Sequence, residues 1–243
     1  MKGKKGRKMI KQKLTVEGIP AVLWGKESKK VFIAVHGNMS HKEDIIIMKF
    51  AEKAVSSGYQ VLSFDLPEHG DRKNEDTLCK VQECVSELTA IINYIKERYE
   101  NVSLFACSMG AYFSLMAYKN EKLSQSLFLS PVVNMGKIID NMMLWFDISE
   151  ERLEKEKEIM TPIGQRLYWD FYCYVRSHPV TVWDIPTSIL YGSKDDVCEY
   201  ETILHFTEIF HCNLYIMDNS GHFFHTNEQL EFFDNWLDKS ILS

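Results

Sequence analysis

The chain has 243 residues, 45% of them hydrophobic and 26% charged, the balance of an ordinary soluble globular domain and not of a disordered or collagen-like chain. A formal net charge of −6 and a pI near 5.8 leave no wide basic field, which argues against a nucleic-acid partner and disfavours polyanionic substrates. The six cysteines are scattered and form no C-x-x-C pair, so a disulfide framework is not expected and a reducing, cytoplasmic setting is.

The first residues, MKGKKGRKMIKQK, are strongly basic. No apolar run follows them, so they do not read as a secretory signal, and residues 1–13 are expected to be a flexible solvated tail. No stretch is long and apolar enough to predict an integral membrane segment. Leu14 to Trp24 predicts one or two antiparallel edge strands. VFIAV (31–35) predicts a buried strand ending at His36-Gly37, and a helix follows over 43–57, closed by Gly58. YQVLSFD (59–65) is the next expected strand. A long amphipathic helix is predicted over 77–99, with Val81, Val85, Leu88, Ile91, Ile92 and Ile95 on one face. VSLFAC (102–107) predicts a strand, 109–119 a helix, and SLFLS (126–130) another strand. TSILYG (187–192), a helix at 199–210, NLYIMD (213–218) and a helix at 228–238 complete the alternation. This pattern predicts an α/β fold, a mostly parallel sheet with helices on both faces, spanning 14–130 and 185–243.

Residues 131–184 interrupt the alternation. They hold MMLWF (142–146), the charged stretch EERLEKEKEIM (150–160) and RLYWDFYCYV (166–175). The segment is too long for a loop and too aromatic for disorder, so a helical cap is expected. Trp145, Phe146, Trp169 and Tyr172 are candidates for lining a substrate pocket beneath it; packing the cap onto the core is the plainer role for the same aromatics.

The chemistry concentrates at predicted strand ends. Ala106-Cys107-Ser108-Met109-Gly110 lies between a strand and a helix, where a sharp turn would present the Ser108 hydroxyl as a nucleophile. Gly110 gives the small residue such a turn needs, and Ala106 stands where glycine is usual. A helix N-cap is the competing role for Ser108. Cys107 is out of register to act in its place and is expected in the core. After the first long strand, His36-Gly37-Asn38-Met39 could aim a backbone N–H at an acyl oxygen. Asn38 is the first choice of donor and Met39 the second. The N–H of Met109 would complete the oxyanion hole. Asp195 and Asp196, after the strand ending at Tyr191, both compete to hold a histidine; Asp195 is preferred, with Asp196 as a turn or cap residue. His222, in Ser220-Gly221-His222-Phe223-Phe224, is the candidate general base. His225 lacks the preceding glycine and is expected to pack or to support the site from behind.

Oxyanion turn, Ser, Asp and His occur in that order, each at a strand end. With AVHGN (34–38), FDLPEHGDR (64–72), ACSMGA (106–111), IPTSILYGSKDD (185–196) and NSGHFF (219–224), the sequence resembles the α/β-hydrolase superfamily over roughly residues 14–240. FDLPEHGDR resembles the family's D-x-P-G-H-G loop, with Glu68 in place of the usual glycine. The resemblance implies that this loop is structural, that His69 is a turn residue, and that the mechanism needs no cofactor. No metal cluster of the H-E-x-x-H kind and no phosphate-binding glycine loop is present in the sequence. The expected function is a serine hydrolase, an esterase acting on a small apolar or aromatic acyl substrate. An acyltransferase, a small-peptide peptidase and a non-catalytic ligand-binding homologue remain alternatives, and the sequence leaves the oligomeric state open.

Overall fold

A computed structural model describes residues 9–242. β1 (Lys11–Val16) and β2 (Ile19–Trp24) form an antiparallel hairpin. Its two-residue turn places Glu17 at φ +49° and Gly18 at φ +84°, the paired left-handed conformation that matches strand twist. The hairpin begins earlier than the sequence suggests. Lys11, Gln12 and Lys13 pair with Trp24, Leu23 and Val22 and are not tail. An edge strand tolerates such charge because one side of it faces water, and Lys11 Nζ bonds Glu43 at 2.6 Å. Residues 1–8, the rest of the expected tail, lie outside the described residues.

β3 (Lys30–Val35), α1 (Ile45–Ser56), β4 (Gln60–Phe64), α2 (Val81–Lys96), β5 (Asn101–Cys107), α3 (Met109–Tyr118) and β6 (Ser126–Leu129) follow in turn. The cap holds α4 (Met135–Trp145), α5 (Glu150–Glu156), a small antiparallel pair β7 (Glu158–Met160) and β8 (Arg166–Tyr168), and α6 (Trp169–Ser177). The chain then returns through β9 (Thr187–Gly192), α7 (Tyr200–Ile209), β10 (Asn213–Met217) and α8 (Asn227–Ser240). No helix among the described residues is long and apolar enough to cross a membrane.

The main sheet runs β1-β2-β4-β3-β5-β6-β9-β10, parallel from β4 onward. Alternate side chains of each strand feed two cores. Val31, Ile33 and Val35 of β3 face the cluster built with Leu88, Ile92, Phe113 and Ile203, from α2, α3 and α7. Phe32 and Ala34 face Phe50 of α1 and Phe233 and Trp236 of α8. A strand buried on both faces must be apolar at every position, which is why VFIAV reads as a continuous run. Each fully buried Phe, Leu or Ile contributes about 1.5–3 kcal/mol, so the sheet is a rigid platform for its loops.

Chain order decides where a site can form. From β3 the chain steps to β4 on one side and then returns past β3 to β5 on the other. The loops after β3 and β5 therefore leave in opposite directions and open a crevice between them. His36–Met39 lies at one side of that crevice and Ser108 at the other.

The cap is more mixed than a helical insertion. EERLEKEKEIM leaves the helix at Glu156, because Lys157 turns to φ +66°, and Glu158–Met160 pairs with Arg166–Tyr168. Lys80 Nζ bonds Asp170 at 2.8 Å and Asn141 Nδ2 bonds Glu199 at 3.0 Å, tying α6 and α4 to the main domain.

Candidate active site

Ser108 sits at φ 47° and ψ −123°, a region that side-chain-bearing residues rarely occupy. Neighbouring contacts enforce it. Its N–H donates to Leu129 O at 3.1 Å, and its carbonyl accepts from Val132 N at 3.0 Å and from Ala111 N at 3.0 Å. A Cβ on Gly110 would overlap the His36 carbonyl, and a Cβ on Gly37 would stand 3.0 Å from Ser108 Cβ. Both glycines let the His36–Met39 turn and the Ser108 turn close on each other. Ser108 occupies the N-cap position of α3, yet its hydroxyl makes no capping bond.

That hydroxyl instead meets His222: Oγ lies 2.8 Å from Nε2. On the opposite edge of the ring, Nδ1 lies 2.7 Å from Asp195 Oδ2. A carboxylate at Nδ1 fixes the proton there, so Nε2 presents its lone pair to the serine O–H. The other oxygen, Asp195 Oδ1, accepts the N–H groups of Val197 and Cys198 at 2.9 and 2.8 Å. Both the Asp195 and His222 side chains are nearly sealed from solvent, at 0% and 2% exposure, which strengthens the pair. Asp196 is exposed, bonds no histidine and does not cap α7, whose N-cap is Glu199.

The backbone N–H groups of Asn38 and Met109 make no hydrogen bond among the described residues. Met39, the second choice from sequence, is spent: its N–H donates to Asn38 Oδ1 at 3.0 Å. Its φ of +56° completes the tight turn. Asn38 Nδ2 donates to Gln165 Oε1 at 3.3 Å, so the β7–β8 connection reaches over the His36–Met39 turn. Nothing in the composition of the cap signalled Gln165.

The loop after β4 braces this turn. Asp65 Oδ1 accepts the Lys42 N–H at 2.8 Å, and Oδ2 takes Lys42 Nζ together with the Asp71 N–H. Burial lowers the Lys42 ammonium's pKa, but its bonds to Asp65 and Asp71 outweigh that and hold it raised. Arg72, 4% exposed, clamps Glu87 with two bonds of 2.6 and 2.7 Å and also reaches Glu75 and the Asp65 carbonyl. Glu68 stands at φ +63°, which explains the glycine its position resembles in other loops of this kind, and its carboxylate accepts the Cys79 N–H at 2.7 Å. His36 is fully buried. Burial lowers it to about 4, so it is neutral, with Nε2 accepting the Leu66 N–H at 3.0 Å. His69 bonds the Pro67 carbonyl through Nδ1 at 2.7 Å and Asn38 Oδ1 through Nε2 at 3.2 Å. It is a turn residue, as the resemblance implies, and it also holds the Asn38 side chain.

Three of the cap aromatics are spent on packing: Tyr172 belongs to the core cluster of the main sheet, and Phe146 and Trp169 pack against it. Trp169 stacks on Tyr172 with ring centroids 5.6 Å apart, and the buried Tyr172 hydroxyl bonds Glu150 and Arg176. Tyr172 lines a cleft with Cys173, Arg176 and Ser177. Trp145 is exposed and Phe146 packs partly against the core. None of the four bonds a residue of the Ser108 site. Phe223 stands edge-on to the His222 ring with centroids 5.0 Å apart, Met39 follows Asn38 in the chain, and both are exposed. His225 does not support the site from behind: it is exposed and bonds the Phe223 carbonyl. Cys107 packs against the α1/α8 core. Asp195, Cys198 and His222 bring donor atoms within 4.8 Å of one another. Their polar edges are already committed to each other and to backbone, and burial raises the Cys198 thiol pKa, so the set fits a hydrogen-bonded dyad and not a metal centre.

No family model matches the sequence, and no curated protein matches it. Solved structures do. Est1E from Butyrivibrio proteoclasticus, solved with ferulic acid bound, is similar at 20% identity, with a TM-score of 0.77 over 94% of this chain and 98% of that one. The esterase PF2001 of Pyrococcus furiosus is similar at 18% identity, with a TM-score of 0.67 over 96% and 90%. Mouse alpha/beta hydrolase domain-containing protein 10 is similar at 15% identity, with a TM-score of 0.74 over 95% and 97%.

Proposed function

We propose, from the α/β-hydrolase fold of the chain, that it is a serine hydrolase that cleaves a carboxylic ester through an acyl-enzyme. The observation that carries the reading is the continuous Ser108–His222–Asp195 chain, with bonds of 2.8 and 2.7 Å.

Ser108 Oγ attacks the acyl carbonyl while His222 Nε2 takes the hydroxyl proton. Asp195 steadies the imidazolium that forms. The carbonyl oxygen, now an oxyanion, accepts the N–H groups of Asn38 and Met109, which together lower the barrier by a few kcal/mol. His222 returns the proton to the leaving alkoxide, and the C–O bond breaks. Water, deprotonated by the same nitrogen, attacks the acyl-enzyme and releases the acid and Ser108. The scheme uses side chains, backbone and water alone.

The substrate reading is a small ester with an apolar or aromatic acyl part. Exposed Phe223 and Met39 beside the site, and ferulic acid bound by the structurally similar Est1E, support it. A panel of p-nitrophenyl esters, thioesters, anilides and acceptor alcohols tests it. Turnover of the esters with water as acceptor is expected. Acyl transfer to alcohols in preference to water, or cleavage of anilides alone, would replace hydrolysis of esters with another reaction of the same triad.

A further inference from the structure

Cys79 and Cys84 form a thiol pair beside the oxyanion turn. Their Sγ atoms are 3.7 Å apart, and no role in ester cleavage uses either. Cys79 directly precedes Lys80, the N-cap of α2, and Cys84 lies one turn inside the helix, so the two side chains close over its first turn. Cys84 is wholly buried, whereas Cys79 is partly accessible.

His69 lies against Cys79, and each raises the charged form of the other. The His69 geometry favours the imidazolium independently. Nδ1 faces the Pro67 carbonyl, and Nε2 faces Asn38 Oδ1, which the Met39 N–H already marks as an acceptor oxygen. Both ring nitrogens therefore donate. The Cys84 thiol on one side and the cationic His69 ring on the other hold Cys79 below the usual thiol range and favour its thiolate.

We propose that Cys79 and Cys84 are an oxidation site for hydroperoxides, closing to a reversible disulfide that loosens the His69–Asn38 contact. At rest the Cys79 thiolate faces the His69 imidazolium. The thiolate sulfur attacks one peroxide oxygen, forming an S–O bond as the O–O bond breaks. The departing oxide takes a proton from the His69 imidazolium and leaves as an alcohol, or as water from hydrogen peroxide, and His69 is left neutral. Cys84 then attacks the Cys79 sulfenic acid. An S–S bond forms, the S–O bond breaks, and water leaves with the Cys84 proton. Two thiols are oxidised and one peroxide is reduced.

Closure draws the two sulfurs together and takes the thiolate from His69. It also pulls on the Cys79 N–H, which is bonded to Glu68, the neighbour of His69. Asn38 then loses an ordering partner. This second effect rests on the function proposed above for Asn38; the disulfide does not.

The experiment treats the purified protein with stoichiometric hydrogen peroxide and digests it with trypsin under alkylating conditions. The expected product is peptide 74–80 linked to peptide 81–96, released by dithiothreitol, with amide exchange of the 36–42 segment faster in the oxidised protein and ester turnover lowered several-fold. Cys84→Ser is expected to leave basal turnover unchanged and to trap a Cys79 sulfenic acid that reacts with dimedone. Oxidation confined to exposed Cys173, or no linked peptide, overturns the proposal. A linked peptide with unchanged exchange over 36–42 overturns the coupling to Asn38. A protein without esterase activity that still forms the linked peptide contradicts the esterase reading alone.

Discussion

Gly192 and Ser220 touch backbone to backbone: a Cβ on Gly192 would overlap the carbonyl oxygens of Ser220 and Gly221. The same pair of loops is laced by Lys194 N–H to the Ser220 carbonyl at 2.8 Å and by Asn219 N–H to Ser193 Oγ at 2.9 Å. The turn that carries Asp195 is therefore packed directly against the turn that carries His222. The strained Ser108 turn is packed in the same way against the His36–Met39 turn, through Gly37 and Gly110, so the site is held by glycine contacts as much as by its own hydrogen bonds.

Gly192→Ala should push the His222 loop outward. A displacement near 1 Å at a reacting group costs about 100-fold in rate. Ester kcat is expected to fall by about that factor while circular dichroism stays native. A variant with unchanged kcat would show that the two loops are not in register-limiting contact.

Asp195→Asn should remove the charge that fixes His222 as the Nδ1–H form. A loss of about 10⁴-fold in kcat is expected, in line with the cost of the wrong tautomer in Ser-His-Asp triads. Asp196→Asn, at an exposed carboxylate, should change kcat by less than about 3-fold. Rates for the two variants under one assay separate these neighbours, and equal losses would reject Asp195 as the holder of His222.

His36 should make stability pH-dependent. Burial lowers its folded pKa to about 4, against an ordinary histidine value of 6.5. Between those values the unfolded chain binds a proton that the folded chain does not, so stability rises with pH across this window. It is complete above about 6.5 and lost as pH falls toward about 4, a change on the order of 3 kcal/mol from this group. Urea midpoints of the wild type at pH 7 and pH 5 should therefore differ more than those of His36→Gln. Parallel shifts in both proteins would place the dependence elsewhere.

Glu68 has two opposing demands. Its left-handed φ favours glycine, and its carboxylate accepts the Cys79 N–H. Glu68→Gly relieves the first while losing the second, and Glu68→Ala loses the bond and keeps the strain. Glu68→Ala should be less stable than Glu68→Gly by about 1 kcal/mol, read from denaturant midpoints. Equal stability would mean the conformation carries no cost.

The sequence marked elements with strong apolar patterns to within a few residues, as for Thr187–Gly192, whose bounds it reproduced. Its errors have local causes. α2 starts at Val81 and not at 77, because the Cys79 N–H is taken by Glu68 and Lys80 stays extended at ψ 155°. The β7–β8 pair went unread because three-residue strands are too short to show alternation, and the charged run before them has helical character. The residues drawn together around Ser108 were legible from their positions at strand ends. Gln165 was not, because its contact with Asn38 depends on how the cap folds back over the sheet, which no local pattern encodes. The cap aromatics were visible as aromatics, but their mutual stacking is a tertiary choice.

The most direct test of the proposed chemistry is fluorophosphonate labelling followed by peptide mass mapping. A single phosphonyl adduct on Ser108 is expected in the wild type and none in Ser108→Ala, with ester turnover lost alongside it. Labelling of Ser108→Ala at the wild-type rate, or an adduct on another residue with turnover intact, would contradict it.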